Sequence, residues 1–109
     1  MKVILYKKGV FMNYDERKKY YKAFIDKWGY DTQAMMCIEE MSELTKALCK
    51  YDRFGKENSP KEVKENVLEE VADVCNMMDQ LIYVFGKDEI EKIRDEKLKR
   101  CVERNEIEI

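Results

Sequence analysis

The sequence predicts an all-α fold, a four-helix bundle that is completed by homo-oligomerisation. Apolar residues recur at helical spacing in four segments, only four glycines and one proline interrupt 109 residues, and the connections are short. A chain of this size forms one domain with a modest core, which association between copies commonly enlarges. Residues 13–109 are therefore one helical domain. Residues 1–12, with a β-like run over 3–6, are an extension of unknown role.

Glycines and capping residues set the helix boundaries. Helices are predicted over residues 13–28, 32–51, 60–85 and 88–104. Gly29 stops the first helix and Gly86 stops the third, because glycine readily adopts the backbone conformation that ends a helix. Asp31 or Thr32 is the expected N-cap of the second helix.

The third helix has the strongest start signal in the chain. Ser59 is the expected N-cap, Pro60 occupies the first helical position, and Glu62 closes a capping box. Asp88 and Glu91 give a similar signal at the start of the fourth helix. The signal at the third helix ends the one clear loop of the chain, residues 53–60.

Composition excludes several classes of site. The sequence has no histidine, which removes histidine-based triads, histidine-ligated zinc and histidine-containing di-iron bundles. The cysteines lack CxxC spacing and lie at apolar positions, which predicts reduced, buried thiols in a cytoplasmic protein: Cys37, Cys49, Cys75 and Cys101. A net charge of −2 argues against a nucleic-acid partner. We expect neither a membrane span nor a signal peptide, because the apolar runs are too short.

Two acidic pairs lie on otherwise apolar helix faces. On the second helix, Glu40 projects from inside the apolar face and Glu43 from its edge. On the third helix, Glu70 lies inside the apolar face and Asp73 at its margin. Each helix thus has one acid in the face and another three residues later on the same side. The two faces consist of Met36, Cys37, Leu44, Ala47, Leu48 and Tyr51, and of Val63, Val67, Val71, Val74, Met78, Leu81 and Phe85.

If these helices pack by their apolar faces, the four carboxylates converge. Buried carboxylates are costly unless they are paired, protonated or metal-bound, and four together repel one another unless a multivalent cation neutralises them. Oxygen ligands without nitrogen or sulfur indicate Mg²⁺ or Mn²⁺. One such pair in a chain with 23 acidic residues is usually a solvated face. Two pairs in matching register favour a metal site.

The fourth helix contributes basic residues. Lys97 lies on its inner, apolar side, and the neighbouring basic residues are Arg94, Arg100 and Arg104. A basic side chain directed toward a metal-loaded acidic site is suited to binding phosphate. The alternative is a surface salt-bridge network, or a Lys97 side chain that extends past the core into solvent.

The motif EEMSE at 39–43, followed by EEVAD at 69–73, resembles the EExxE…ExxD signature of the MazG-like all-α nucleoside triphosphate pyrophosphohydrolases. The resemblance extends over roughly residues 20–104. It implies a homodimer or homotetramer and Mg²⁺-dependent hydrolysis of a nucleoside triphosphate to the monophosphate and pyrophosphate. It does not distinguish a house-cleaning hydrolase, a dUTP- or dCTP-preferring enzyme and a phosphoribosyl-ATP pyrophosphohydrolase. A non-catalytic helical interaction module with a metal site is the alternative from another class.

Carried over by position, the resemblance assigns roles to individual residues. Glu39 leads the first motif, and Asn76 is a candidate contact to the nucleotide or to a ligand. The chemistry of the reaction makes Glu39, or a ligand carboxylate that the metal does not saturate, the candidate general base. The metal ligands implied are Glu40, Glu43, Glu70 and Asp73, and the residues similar to the family's phosphate-holding C-terminal helix are Lys97 and Arg100. The aromatic residues of the first helix are expected in the core, with stacking on a base as the alternative: Tyr21, Phe24 and Trp28.

Overall fold

The computed structural model describes residues 11–55 and 57–108, and these residues form four α-helices and no strand. The helices are α1 (Tyr14–Trp28), α2 (Tyr30–Phe54), α3 (Lys61–Phe85) and α4 (Lys87–Arg104). The predicted all-α class is confirmed. Except for Phe11 and Met12, the predicted extension and its β-like run lie outside the described residues. Within the described ranges, no helix combines the length and the apolarity needed to cross a membrane.

Single glycines separate α1 from α2 and α3 from α4. Gly29 has φ 84° and Gly86 has φ 112°, positive values that favour glycine because it has no Cβ. The N–H of Gly29 donates to the carbonyl of Ile25 at 2.8 Å, and that of Gly86 donates to the carbonyl of Ile82 at 2.9 Å. Both predicted helix stops are therefore confirmed.

The predicted capping residues of α2 are wrong. Because α2 begins at Tyr30, immediately after Gly29, Gly29 is the N-cap and Asp31 already lies in the first turn. The helix that does begin with a capping box is α1. There, the Glu16 N–H donates to Oδ1 of Asn13 at 2.9 Å, and the Asn13 N–H donates to the Glu16 carboxylate at 3.5 Å.

The predicted capping box of α3 is also absent. Pro60 has extended backbone (φ −56°, ψ 148°), so it precedes the helix as its N-cap and no side chain caps the helix. The hydroxyl of Ser59 lies 3.4 Å from the carbonyl oxygen of Pro60. At α4, the helix begins at Lys87 directly after Gly86, one residue before the predicted start.

Helices α2 and α3 form an antiparallel hairpin with the largest interface of the fold. The ring of Tyr30, at the start of α2, meets the ring of Phe85, at the end of α3, edge to face with centroids 5.8 Å apart. Helix α1 packs against both, whereas α4 packs mainly against α3 and has no buried residue. Helix α4 also meets α1 through Lys87, whose Nζ lies 4.8 Å from the centre of the Tyr14 ring. The predicted bundle is thus three packed helices with a fourth attached to the end of α3.

The buried stripe of α3 differs in part from the predicted one. Val63 is buried as predicted, but Met77 and Gln80 are buried as well, while Val71 and Phe85 are 42% and 59% exposed. Helix α3 has apolar residues on two sides, and the sequence pattern combined them into one stripe. In the single chain only one of these sides packs against α2.

The apolar core of one chain is small. Its buried members in the described part are Tyr21, Cys37, Ala47, Val63 and Met77. All four cysteines are free, as predicted, but only Cys37 is buried. The predicted burial of the other three thiols is wrong, because Cys49, Cys75 and Cys101 are exposed.

Candidate functional site

Three of the four predicted metal ligands meet between α2 and α3. One carboxylate oxygen from each of Glu40, Glu70 and Asp73 lies within 4.8 Å of the other two, and we call these residues the acid cluster. Glu40 lies in the α2 face that packs on α3, and Glu70 and Asp73 follow one another by a single turn of α3. Glu40 and Glu70 are half-buried and Asp73 is exposed, so the cluster is open to solvent on one side.

Burial and mutual repulsion raise the pKa of both half-buried glutamates. For Glu40 the main cause is removal from water, followed by the charges of Asp73 and Glu70, which together raise the pKa above 4.5. The pKa of Glu70 is raised first by removal from water and then by Asp73 and Glu43. Oε2 of Glu70 is buried and has no hydrogen-bond partner among the described residues. A proton or a cation would satisfy a carboxylate oxygen in this position.

The remaining acids of the two motifs lie outside the acid cluster. Glu43 is exposed and its carboxylate lies 3.6 Å from Nζ of Lys46. Its charge still contributes to the raised pKa of Glu70, so it is close to the cluster. Glu39 and Glu69 are exposed. The assignments of Glu43 as a metal ligand and of Glu39 as a general base therefore remain predictions.

A groove of about 870 Å³ runs beside the acid cluster. Helices α1, α2 and α3 line it, and Glu40, Asp73 and the predicted contact residue Asn76 all contribute side chains. We call it the acidic groove. Its remaining lining residues are Met12, Arg17, Tyr20, Tyr21, Phe24, Met36, Ala72, Cys75, Met77, Asp79 and Gln80.

A hydrogen-bond network joins α1 to the α3 side of the acidic groove. The hydroxyl of Tyr21 lies 3.0 Å from Oδ1 of Asn76 and 3.2 Å from Oδ2 of Asp79, and its one hydrogen is shared between them. Burial and the negative charge of Asp79 raise the pKa of Tyr21 to about 12. The hydroxyl is therefore a donor throughout the neutral range. It fixes Asn76 one turn away from Asp73.

A smaller, mostly apolar cavity of about 270 Å³ adjoins the acidic groove. Phe24 and Trp28 stack in it with ring centroids 5.5 Å apart and planes 15° apart. Because these rings are 42% and 48% exposed, their predicted place in the core is wrong, whereas Tyr21 is buried as expected. We call this cavity the aromatic cavity, and its lining residues are Phe24, Trp28, Thr32, Gln33, Met36, Met77 and Gln80.

The basic residues predicted to bind phosphate lie elsewhere in the single chain. Lys97 and Arg100 line a separate groove formed by α4 alone, together with Cys101, Glu103 and Arg104. The structure does not bring them to the acid cluster. The basic residue that does line the acidic groove is Arg17 on α1, which the sequence analysis did not single out.

Sequence reasoning also missed the two glutamines of the aromatic cavity. Gln33 precedes Glu40 by seven residues, and Gln80 follows Asp73 by seven. Seven residues are close to two helical turns, so each glutamine lies on the same side of its helix as an acid of the cluster. That spacing is the signal that could have identified both residues.

Comparisons with known proteins found no relative of this chain. No protein-family model, no curated protein and no solved structure matches the chain. The acid cluster and the two cavities beside it are therefore the features of the chain that indicate a function.

Proposed function

We propose that this protein is a Mg²⁺-dependent nucleoside triphosphate pyrophosphohydrolase of the MazG-like kind, which converts a nucleoside triphosphate or its deoxy form to the monophosphate and pyrophosphate. The acid cluster carries the proposal. Its three carboxylates come from the two motifs that resemble the family signature, and they approach within 4.8 Å of one another. The unpaired Oε2 of Glu70 is the second observation, because it marks a position that a cation would satisfy.

The donor set of the acid cluster fits magnesium. It offers carboxylate oxygens from two helices and no nitrogen or sulfur, which is the ligand chemistry of Mg²⁺ and of its common substitute Mn²⁺. Around a bound Mg²⁺, neighbouring oxygens are about 3 Å apart and opposite ones about 4.2 Å, so oxygens within 4.8 Å would have to approach one another by up to roughly 2 Å to bind one ion. Three protein ligands also leave coordination positions for water and for phosphate oxygens.

In this proposal, the chain's own residues have separate roles in binding the substrate and in proton transfer. The acid cluster holds the ion and the triphosphate that it binds. When bound, magnesium supplies the positive charge that neutralises phosphate oxygens and the acidity that makes water a nucleophile at neutral pH. Asn76 has its Oδ1 engaged by Tyr21, which leaves its Nδ2 to donate a hydrogen bond to a phosphate oxygen. Glu39 is the candidate that accepts the proton of the attacking water.

We also propose that the enzyme is a homodimer or homotetramer. Helix α4 buries none of its residues, and Ile93 and Leu98 are 51% and 61% exposed. Leu68 on α3 is 60% exposed. Exposed large apolar side chains favour association, and an identical chain offers matching surfaces. A phosphate-binding role for Lys97 and Arg100 then requires α4 of one copy to lie beside the acidic groove of another.

The direct test is pyrophosphate release from the eight common ribonucleoside and deoxyribonucleoside triphosphates and from phosphoribosyl-ATP, with Mg²⁺ and with chelator. We expect release with Mg²⁺ and none with chelator. Glu70→Gln should abolish turnover, because it removes a ligand of the ion. Glu69→Gln is the matched control, since it removes the same charge from the neighbouring exposed position and should retain most of the activity.

The products decide between the alternatives. Orthophosphate and a nucleoside diphosphate would contradict cleavage between the α- and β-phosphates. Metal binding without release of pyrophosphate from any of these substrates would favour the non-catalytic interaction module. Release of pyrophosphate from phosphoribosyl-ATP alone would favour a phosphoribosyl-ATP pyrophosphohydrolase, the alternative within the superfamily that the sequence resembles.

A further inference from the structure

We propose that the aromatic cavity binds the nucleobase of the substrate and that Gln80, supported by Gln33, forms hydrogen bonds to the edge of the base. The identity of the ligand rests on the proposed function. The existence of a polar binding site in this cavity rests on separate observations about the two glutamines.

Buried polar side chains are rare in this chain. Within the described residues, the only buried polar ones are Gln33, 5% exposed, and Gln80, 4% exposed. They are also the only two glutamines in the sequence, and both line the aromatic cavity. Burying a primary amide is unfavourable unless its donors and acceptor find partners. The structure therefore places two unfavourably buried amides in the wall of one cavity.

The hydrogen-bonding capacity of these amides is largely unused. Oε1 of Gln80 is buried and has no partner among the described residues. Nε2 of Gln33 has a neighbour 3.7 Å away in the sulfur of Met36, but a thioether is a weak acceptor. A ligand in the aromatic cavity would meet an amide acceptor and amide donors that the protein itself leaves available.

The walls of the cavity restrict what that ligand is. Phe24 and Trp28 contribute stacked rings, and Met36 and Met77 contribute flexible, polarizable side chains. A purely apolar ligand would leave the amide of Gln80 unpaired, and a phosphate would make no use of the aromatic walls. A nucleobase has a flat face for stacking and an edge with adjacent donors and acceptors, so it matches both features.

The position of the cavity agrees with this assignment. The aromatic cavity and the acidic groove share Phe24, Met36, Met77 and Gln80, so the two are continuous. Along α3, Gln80 follows Asp73 by seven residues, a rise of roughly 10 Å. A ribose would bridge such a gap between a base at Gln80 and phosphates at the acid cluster.

The test is calorimetric titration of the full-length protein in Mg²⁺ with two kinds of probe. The first is inorganic tripolyphosphate, and the second is the set of α,β-methylene analogues of the four nucleoside triphosphates, which cannot be cleaved at the α–β bridge. Wild type should bind one analogue at least about tenfold more tightly than it binds tripolyphosphate, and at least about tenfold more tightly than it binds the analogue with the least favoured base. Gln80→Met should remove that preference and leave the affinity for tripolyphosphate unchanged. Asn66→Leu is the matched control, because it removes an exposed amide from α3 away from the cavity.

A thermal melt of the metal-free variant supplies a readout that does not depend on nucleotide. Gln80→Met should raise Tm, because it replaces a buried, unpaired amide by an apolar side chain of similar size. A lower Tm with an unchanged base preference would show a structural glutamine and overturn the inference. A changed sedimentation coefficient would overturn it as well, since Gln80 would then contact a second copy.

The two proposals fail in distinguishable ways. Pyrophosphate release by wild type together with a base preference that Gln80→Met retains would overturn the base-binding inference alone. A base preference that Gln80→Met removes, without pyrophosphate release from any hydrolysable nucleotide, would support base binding and overturn the hydrolase. Binding of neither tripolyphosphate nor any analogue would overturn both.

Discussion

Replacing Glu40 by glutamine should stabilise the metal-free protein and weaken its stabilisation by magnesium. The carboxylate of Glu40 lies within 4.8 Å of the nearest oxygens of Glu70 and Asp73. No basic side chain in the described ranges forms an ion pair with it. Glutamine has nearly the same size but no charge, so the substitution removes repulsion without opening a cavity. It also removes one ligand of the proposed ion.

The two effects have comparable size. Two unit charges 4.8 Å apart repel by roughly 0.9 kcal/mol in water and roughly 3.5 kcal/mol at an effective dielectric constant of 20. Because Asp73 is exposed, its repulsion of Glu40 lies near the lower value, about 1 kcal/mol, or about 4–8 °C in Tm for a domain of this size. Magnesium at 100 times its Kd stabilises by about 2.7 kcal/mol. A tenfold loss of affinity reduces that gain to roughly 1.4 kcal/mol.

The assay is thermal unfolding followed by circular dichroism at one fixed protein concentration, first with chelator and then along a magnesium titration. Glu40→Gln should unfold at a higher temperature than wild type in chelator and should gain less from magnesium. Glu39→Gln removes a charge from the exposed neighbour and should respond to magnesium like wild type. A Glu40→Gln protein that is less stable in chelator and keeps the full magnesium response would refute the metal centre as assigned.

Three further predictions follow from the same geometry. The folded pKa values of Glu40 and Glu70 lie above 4.5. The stability that the protonated carboxyl groups contribute is therefore fully present below pH 4.5 and is lost as the pH rises through the folded values. The difference in Tm between metal-free wild type and Glu40→Gln should accordingly grow from acidic to neutral pH. Tyr21→Phe removes the hydroxyl that donates to Asp79 and should lower the free energy of unfolding by about 1 kcal/mol in urea titration. Sedimentation velocity at micromolar concentration should show a dimer or larger species, and Leu98→Glu should shift it toward the monomer; a stable wild-type monomer would remove the oligomer proposal.

Local patterns were enough to predict the helices and part of the site. Gly29 and Gly86 end their helices as expected, because a positive φ is a requirement of the local backbone. The placement of Glu40 and Glu70 within apolar faces also follows from a periodicity of 3.6 residues, and the packed hairpin brings these acids together. The helix starts were less predictable, since Pro60 caps α3 without the side-chain hydrogen bonds that its sequence context suggests.

Patterns on a single helix could not predict which apolar side meets which neighbour. Helix α3 has two apolar sides, and only packing shows that Val63 and Met77 face inward while Val71 and Phe85 remain exposed. The same limit applies to Lys97. It lies on the apolar side of α4, but the groove that it lines is formed by α4 residues alone, so within the chain it does not lie at the acid cluster. Helical periodicity identifies a face without identifying its partner.

Unsatisfied polar atoms give the functional information that periodicity lacks. Among the described residues, the buried side-chain oxygens or nitrogens without a partner are Oε2 of Glu70 and Oε1 of Gln80. Both belong to α3. Glu70 is part of the acid cluster, whose other two members line the acidic groove, and Gln80 lines both that groove and the aromatic cavity. Each lowers the stability of the free protein, because a buried acceptor without a donor loses its hydration and receives nothing in return. A ligand with a cation at one end and a hydrogen-bonding ring at the other would satisfy both, and a nucleotide with bound magnesium has that form.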